Sequence, residues 1–363
     1  MIRKICLSLF FVGFFALGLC IFLHPVREKS MEENRQLQTF PETSTARVFS
    51  GEFESDFENF LSDQFPERNL FMGLATGLKK AEGKRDLQDT YLGRDHYFFE
   101  KVLDSDLSGK QMESNLGVLS QLADRHQEVE FSAMLVPSSG VSLPDYLPCG
   151  AKVYDAGKLY EMAQENLGRV KLVNPSQALY GDPANYYRTD HHWTALGAYR
   201  AYEVLMEGQG AYDRDLPEPV SQDFLGTLYS KTQDASAVAD SIVLPQVDEG
   251  IQVKVDGEEQ SLYDMAALDR KDQYEVYLGG NFGLVEIQNP GAKGGCLLVI
   301  KDSFFNSMAP YLTADYEKIV LVDPRFFPGM WEGLFETYKP DMVLALYELN
   351  NFAIDQNLVK LLM

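Results

Sequence analysis

The last third of the chain carries three short apolar runs at a regular rhythm: "CLLVI" at 296–300, "KIVLV" at 318–322 and "DMVLALY" at 341–347. Helix-like stretches lie between them at 304–312 and 329–338, and another closes the chain. Strands that are apolar at every position need cover on both faces, which is the arrangement of a parallel sheet flanked by helices. The same beat occurs earlier, with helix-like 111–128, "VEFSAMLVP" at 129–137, helix-like 155–167 and "VKLVN" at 170–174. The pattern predicts a doubly wound α/β domain, and 363 residues are ample for its core.

Residues 208–295 break the rhythm. "IQVKVDGEEQSLY" reads as a hairpin turning at Asp256–Gly257, and "YEVYLGGNFGLVEIQ" as a second one turning at Gly279–Gly280. This stretch is expected to be an inserted β and loop region that leans over the site.

The other end reads differently. Arg3 and Lys4 precede nineteen uncharged residues, Ile5 to Leu23, long enough to span a bilayer and followed by no small-x-small cleavage site. The expected organisation is a single-pass transmembrane anchor at 1–24 with the body outside the cytoplasm, a stalk at 25–85 and the α/β domain at 86–363. In the stalk, Phe53, Phe57, Phe60 and Leu61 recur at helical spacing and define one apolar face. A formal charge of −22 excludes a nucleic-acid groove, which needs clustered Lys and Arg. Cys6 and Cys20 fall in the apolar run; Cys149 and Cys296 are close enough to no obvious pattern that a buried thiol at Cys296 is a simpler reading than a disulfide.

Two stretches carry the candidate chemistry. "YYRTDHHWTALGAY", Tyr186 to Tyr199, contains two of the five histidines. "VIKDSFFNSMAPYL" runs from an apolar strand through Lys301, Asp302 and Ser303 into a helix-like segment. Ligands bind at the carboxyl ends of parallel strands, and a serine at such a turn is exposed at the rim. Its N–H and those of its neighbours, at a helix start, would face a developing oxyanion. A helix cap made by Asp302 or Ser303 is the plainer alternative.

A serine nucleophile needs a base, and the base needs an orienting carboxylate. In an extended segment Asp190 and His192 project to one side and His191 to the other, which makes His192 the candidate base and Asp190 its orienter. Thr194 is a plausible cap for a helix at 195–206. The field of that helix opposes imidazolium while Asp190 favours it, so the two are expected to hold the base near neutral pH. Asp-His-His also suits zinc or iron. Here one short cluster gives at most two ligands on one side, and His24, His96 and His126 show no ligand spacing, so no metal and no cofactor is assigned.

Taken together these residues resemble the bacterial DHHW family, which is related to alginate O-acetyltransferases and more distantly to SGNH hydrolases. The likeness rests on seven ordered blocks: "ENRQLQTFP" at 33–41, "DQFPERN" at 63–69, "YLGRDHYFFE" at 91–100, the stretch at 186–199, "FLGTLY" at 224–229, "KDSFFNSMAPYL" at 301–312 and "VDPRFF" at 322–327. It implies an SGNH hydrolase-like fold with a catalytic Ser303, His192 and Asp190, acting on acyl esters of a surface polysaccharide. The implied activity is O-acetyl transfer through an acyl-serine, with an acetyl esterase or a non-catalytic carbohydrate-binding subunit as alternatives. A membrane-bound O-acyltransferase would supply the acetyl group. Asn306 and Arg325 are the candidate substrate-binding residues, since the usual oxyanion blocks of SGNH enzymes have no secure counterpart here.

Overall fold

The computed structural model describes residues 2–30, 33, 35–212 and 217–362, so Asn34 of the first quoted block and 213–216 of the insertion lie outside the described residues. The chain divides into two units, one of residues 1–84 with 229–236 and one of 85–228 with 237–363.

In the first unit the helices are Ile2–Leu23, Thr45–Ser50, Glu52–Asp63 and Arg68–Ala81. Phe53, Phe57 and Phe60 stack along one face of the third, at centroid separations of 5.8 and 6.2 Å. The expected membrane anchor is overturned: among the described residues no helix is long and apolar enough to cross a membrane. Counting uncharged residues measures length without asking what the side chains touch. At the end of this run Ile21 is only 6% exposed and the Phe22 ring lies 6.4 Å from Phe60, while Leu19 and Leu23 stay exposed. The single-pass membrane location falls with the anchor, and so does the placement of the body that depended on it.

The second unit is built on eight strands: β1 (Glu130–Val136), β2 (Lys171–Val173), β3 (Gln252–Val255), β4 (Glu258–Gln260), β5 (Leu284–Gln288), β6 (Gly294–Lys301), β7 (Tyr316–Val322) and β8 (Met342–Glu348). They lie in the order β4-β3-β5-β7-β6-β8-β1-β2. From β7 to β2 neighbouring strands are parallel, whereas β5, β3 and β4 add an antiparallel extension. The sheet is therefore mixed, and the insertion supplies its antiparallel side. The hairpin at Asp256–Gly257 forms, both residues taking positive φ as a tight two-residue turn requires. No hairpin forms at Gly279–Gly280, because β5 pairs with β3 and β7 instead of folding back on the preceding residues.

Alternation along the parallel strands feeds two cores. Leu297 and Val299 of β6, with Leu344 and Leu346 of β8, pack on one face among Ala198, Ala201 and Tyr202 of the helix Ala195–Leu205. Leu298 and Ile300, with Val343 and Ala345, pack on the other among Met112, Leu116 and Leu119 of the helix Gly109–Arg125. Both faces are thus buried, which is why these strands are apolar throughout. Burial of each Leu, Ile, Val or Met among them stabilises the fold by roughly 1.5–3 kcal/mol. Cys149 and Cys296 are both free thiols, exposed and buried respectively.

Candidate active site

β6 is bordered by parallel strands on both sides and ends at Lys301, so the next residues emerge at the carboxyl edge of the sheet. The helix-like reading of 304–312 resolves into two short pieces, a 3-10 segment Ser303–Ser307 and a single turn Ala309–Leu312. Asp302 caps the first, its Oδ1 accepting from the Phe304 N–H at 2.9 Å. Its Oδ2 accepts from the Glu348 N–H and the Asn351 side chain, so Asp302 ties the end of β6 to the end of β8. Burial raises the pKa of this carboxyl, against those hydrogen bonds.

The Asp-His-His stretch is a bent loop. Its base is closed by an antiparallel bridge between Tyr186 and Trp193 and by the bond from Tyr187 N–H to His192 carbonyl, 3.2 Å. The expectation of an extended backbone with His191 turned away fails for that reason. The His191 and His192 rings lie side by side, 3.9 Å between centroids. Buried Asp240 holds the near arm of the loop, accepting from the N–H groups of Arg188 and Thr189 and from the Thr189 hydroxyl. Thr194 caps the helix Ala195–Leu205 through the Gly197 N–H, as the sequence reading expects.

Bending brings three predicted residues into line. His192 Nδ1 lies 2.6 Å from Asp190 Oδ1, and His192 Nε2 lies 2.8 Å from Ser303 Oγ. Asp190 and His192 are buried, while Ser303 is partly open. Trp193 locks the two segments together: its indole N–H lies 2.9 Å from both the Phe304 carbonyl and Ser307 Oγ.

Burial lowers the pKa of His192 to about 4, helped by neighbouring His191 and opposed by Asp190. The near-neutral base expected from the sequence is thus not found, because burial, left out of that expectation, is the largest influence on the ring. For Asp190, burial works against the charge, but His191, His192 and the Thr227 N–H outweigh it and hold the carboxyl well below its usual range. The resting state is an ionised Asp190 beside a neutral His192. Nδ1–H then donates to the carboxylate and Nε2 accepts from the serine hydroxyl.

Several partners escape a reading of motifs alone. The Thr227 N–H and hydroxyl both donate to Asp190 Oδ2, at 2.8 and 2.9 Å, and Thr227 Oγ1 lies 2.9 Å from His191 Nδ1. Since the threonine proton goes to the carboxylate, His191 Nδ1 is the donor in the second contact. The block "FLGTLY" is thus the cradle of Asp190, a role its ordered recurrence signals without specifying. Lys301 is buried and donates to Asn281 Oδ1 and Asn306 Oδ1 at 3.0 and 2.7 Å; burial brings its ammonium down to about 8.

The candidate binding residues sit differently from expectation. Asn306 is buried, with its oxygen accepting from Lys301 and its amide donating to Gly280 carbonyl and Asn281. Its polar groups are therefore committed to the floor of the site. The Phe304 N–H is likewise committed to Asp302, leaving neither as an oxyanion donor. Arg325 makes a two-pronged pair with buried Asp323, 2.8 and 2.6 Å, and keeps part of its side chain exposed at the end of β7. Asp190, His191 and His192 also offer ligand atoms within 4.8 Å of one another. Both His192 nitrogens already have partners along the line to Ser303, and Asp190 carries four hydrogen bonds, so metal binding would dismantle the arrangement.

Fold and site together define an α/β protein with a carboxylate, an imidazole and a serine hydroxyl aligned at the carboxyl edge of a parallel sheet. Residues 158–322 match the DHHW protein family, which bears out the resemblance drawn from the sequence. The sequence is 23% identical over 180 residues to a probable alginate O-acetylase, AlgJ, of Pseudomonas syringae pv. tomato, covering 47% of this chain and 46% of that protein. The chain thus spans about half the length of the curated relative it matches. Among solved structures, a DHHW family protein from Eubacterium siraeum is similar with a TM-score of 0.64 at 20% identity, over 76% of this chain and 95% of that one. Bacillus cereus PatB1 with a sulfonyl adduct gives 0.59 at 20% identity, over 73% and 97%. At such identities the likeness to the solved structures is one of fold.

Proposed function

We propose that this protein is a polysaccharide O-acetyltransferase that carries the acetyl group on Ser303. The observation that supports it most is the unbroken line from Asp190 Oδ1 through His192 to Ser303 Oγ, with steps of 2.6 and 2.8 Å. Its similarity to a probable alginate O-acetylase supplies the acyl group and the class of acceptor.

In this reading Ser303 Oγ attacks the acetyl carbonyl of the donor while its proton passes to His192 Nε2. Asp190 keeps Nδ1–H pointed at itself and stabilises the imidazolium. His192 returns the proton to the departing oxygen, and the acetyl group remains on Ser303 as an ester. An acceptor sugar hydroxyl then gives its proton to His192 and attacks that ester, restoring Ser303 and forming the O-acetylated sugar. A membrane-bound O-acyltransferase is the proposed donor partner. Arg325, held flat by Asp323, is the proposed contact for a sugar oxygen or carboxylate at the rim.

Water in place of the sugar would make the same site an acetyl esterase. A transferase has to hold the acceptor hydroxyl in attacking geometry and keep water away. The test is mass spectrometry of oligosaccharides drawn from a panel of bacterial glycans, run beside an assay of free acetate, with an activated acetyl ester as donor. Acetylated oligosaccharide is the expected product. Free acetate with every acceptor, together with rapid removal of acetyl groups from a natural glycan, would establish the esterase instead. Absence of both activities would leave a carbohydrate-binding subunit.

A further inference from the structure

Two hydrogen bonds in the plane of an imidazole leave it one freedom, a tilt about the line joining its nitrogens. The Nε2 lone pair lies close to that line and moves little, but the tilt turns the C–H edge of the ring and opens its face to water. In this site something fills the space into which the ring would tilt. The Tyr274 ring lies parallel to the His192 ring, with centroids 3.9 Å apart and planes within 10°. Tyr274 is 5% exposed, and its hydroxyl lies 3.1 Å from both the Ser303 carbonyl and Ser307 Oγ. One side chain therefore touches the base with its face and the backbone of the nucleophile with its tip.

Tyr274 is itself held. Tyr277 packs at 5.2 Å and Tyr187 at 6.4 Å, in a small aromatic core with Phe224. Gln273, its neighbour, is fixed by contacts with Ser221 and Asp223. Ser307 also meets the Trp193 indole, so the tyrosine joins the same clamp that fastens the histidine loop to the serine segment.

We infer that Tyr274 is a positioning residue of this site, whose ring fixes the plane of His192 and closes that face to water while its hydroxyl ties the stack to the Ser303 backbone. The inference rests on the reading of Ser303 and His192 as nucleophile and base. Asp190, His191 and Tyr274 lie against the imidazole, Glu100 acts on it electrostatically, and Asp272 is coupled in the same way to Asp190 and His191. Of the influences on His192, burial is the largest, and the tyrosine face is part of that burial.

The experiment pairs an NMR titration of His192 with the pH dependence of activated acetyl ester hydrolysis, using the full chain and the variants Tyr274→Phe and Tyr274→Leu. Tyr274→Phe keeps the ring and is expected to hold the acidic pKa of His192 and to lose less than about tenfold in kcat. Tyr274→Leu opens the face to water. It is expected to move the pKa up towards the ordinary histidine value of about 6.5 and to lower kcat about a hundredfold with little change in KM. An unmoved pKa in Tyr274→Leu, or equal losses in the two variants, would overturn the proposal. Should Tyr274→Leu not fold, the wild-type spectrum decides. Stacking requires upfield-shifted His192 ring protons, and unshifted resonances would refute it. A wild-type protein without any ester hydrolysis would count against the proposed activity, while the titration would still test the stack.

Discussion

Gly226 stands so close to Asp190 that a Cβ at position 226 would lie 2.5 Å from the carboxylate Oδ2. The adjacent Thr227 can then reach that oxygen with both its N–H and its hydroxyl. Gly226→Ala is expected to push the carboxylate out of line, costing about 1–3 kcal/mol of stability and about tenfold to a hundredfold in kcat/KM. Thermal unfolding and ester kinetics on the same preparation check both. A variant with unchanged kinetics would show that Asp190 tolerates displacement.

Ser303→Ala, His192→Ala and Asp190→Asn are each expected to lower acyl transfer by at least about a thousandfold, and the double variants to lose little more than the worst single one. Groups that act as a unit cannot be lost twice. Circular dichroism distinguishes this from unfolding. Full activity in Ser303→Ala would remove the nucleophile assignment.

His192, lowered to about 4 mainly by burial, is a neutral base over most of the acidic range. The acid limb of kcat/KM is therefore expected near pH 4, not near the ordinary value of about 6.5. Stability moves with it. Between those two values the unfolded chain binds the extra proton, so ΔG of unfolding rises with pH through that window and is fully present above it. The total from this group is on the order of a few kcal/mol. Asp272, Asp302 and Glu348, whose pKa values burial raises, slope the other way. The His192 contribution is therefore read as the difference between wild type and His192→Ala in urea unfolding from pH 4 to pH 7, and no difference in slope would contradict the burial argument.

His191 touches Thr227 and lies 3.5 Å from Asp190 Oδ1, outside the line to the serine. His191→Ala is expected to cost less than about tenfold in kcat. It should move the acid limb upward, because His191 is one of the influences that lower His192. Chelators are expected to leave activity intact. Stoichiometric zinc or iron, with activity lost on its removal, would reassign the cluster as a metal site.

The sheet was legible because apolar runs such as "CLLVI" and "DMVLALY" have one physical explanation, burial on both faces. The pairing of Asp190, His192 and Ser303 was legible from chemical need: a serine wants a base and a base wants a carboxylate. The loop geometry was not, since the bend at 188–192 is imposed by Asp240 and Thr227, which lie far along the chain. Tyr274 was hidden for the same reason, as one aromatic residue among many in a region without periodicity. The N-terminal run misled because a count of uncharged residues measures length and not whether the helix is apolar enough to cross a membrane.

β8, last along the chain among the described strands, lies between β1 and β6. It alone joins the part of the sheet that begins the domain to the part that carries the serine, and its Glu348 N–H fixes the Asp302 turn beside Ser303. A growing chain that has already produced Asp190, His192 and Ser303 still lacks this central seam. Trp193 can already join the histidine loop to the serine segment, but the Asp302 turn has no anchor on β8 until residue 348 is in place. The line from Asp190 to Ser303 thus depends on a strand that contributes no residue to it, and a probe of that alignment would also report closure of the sheet.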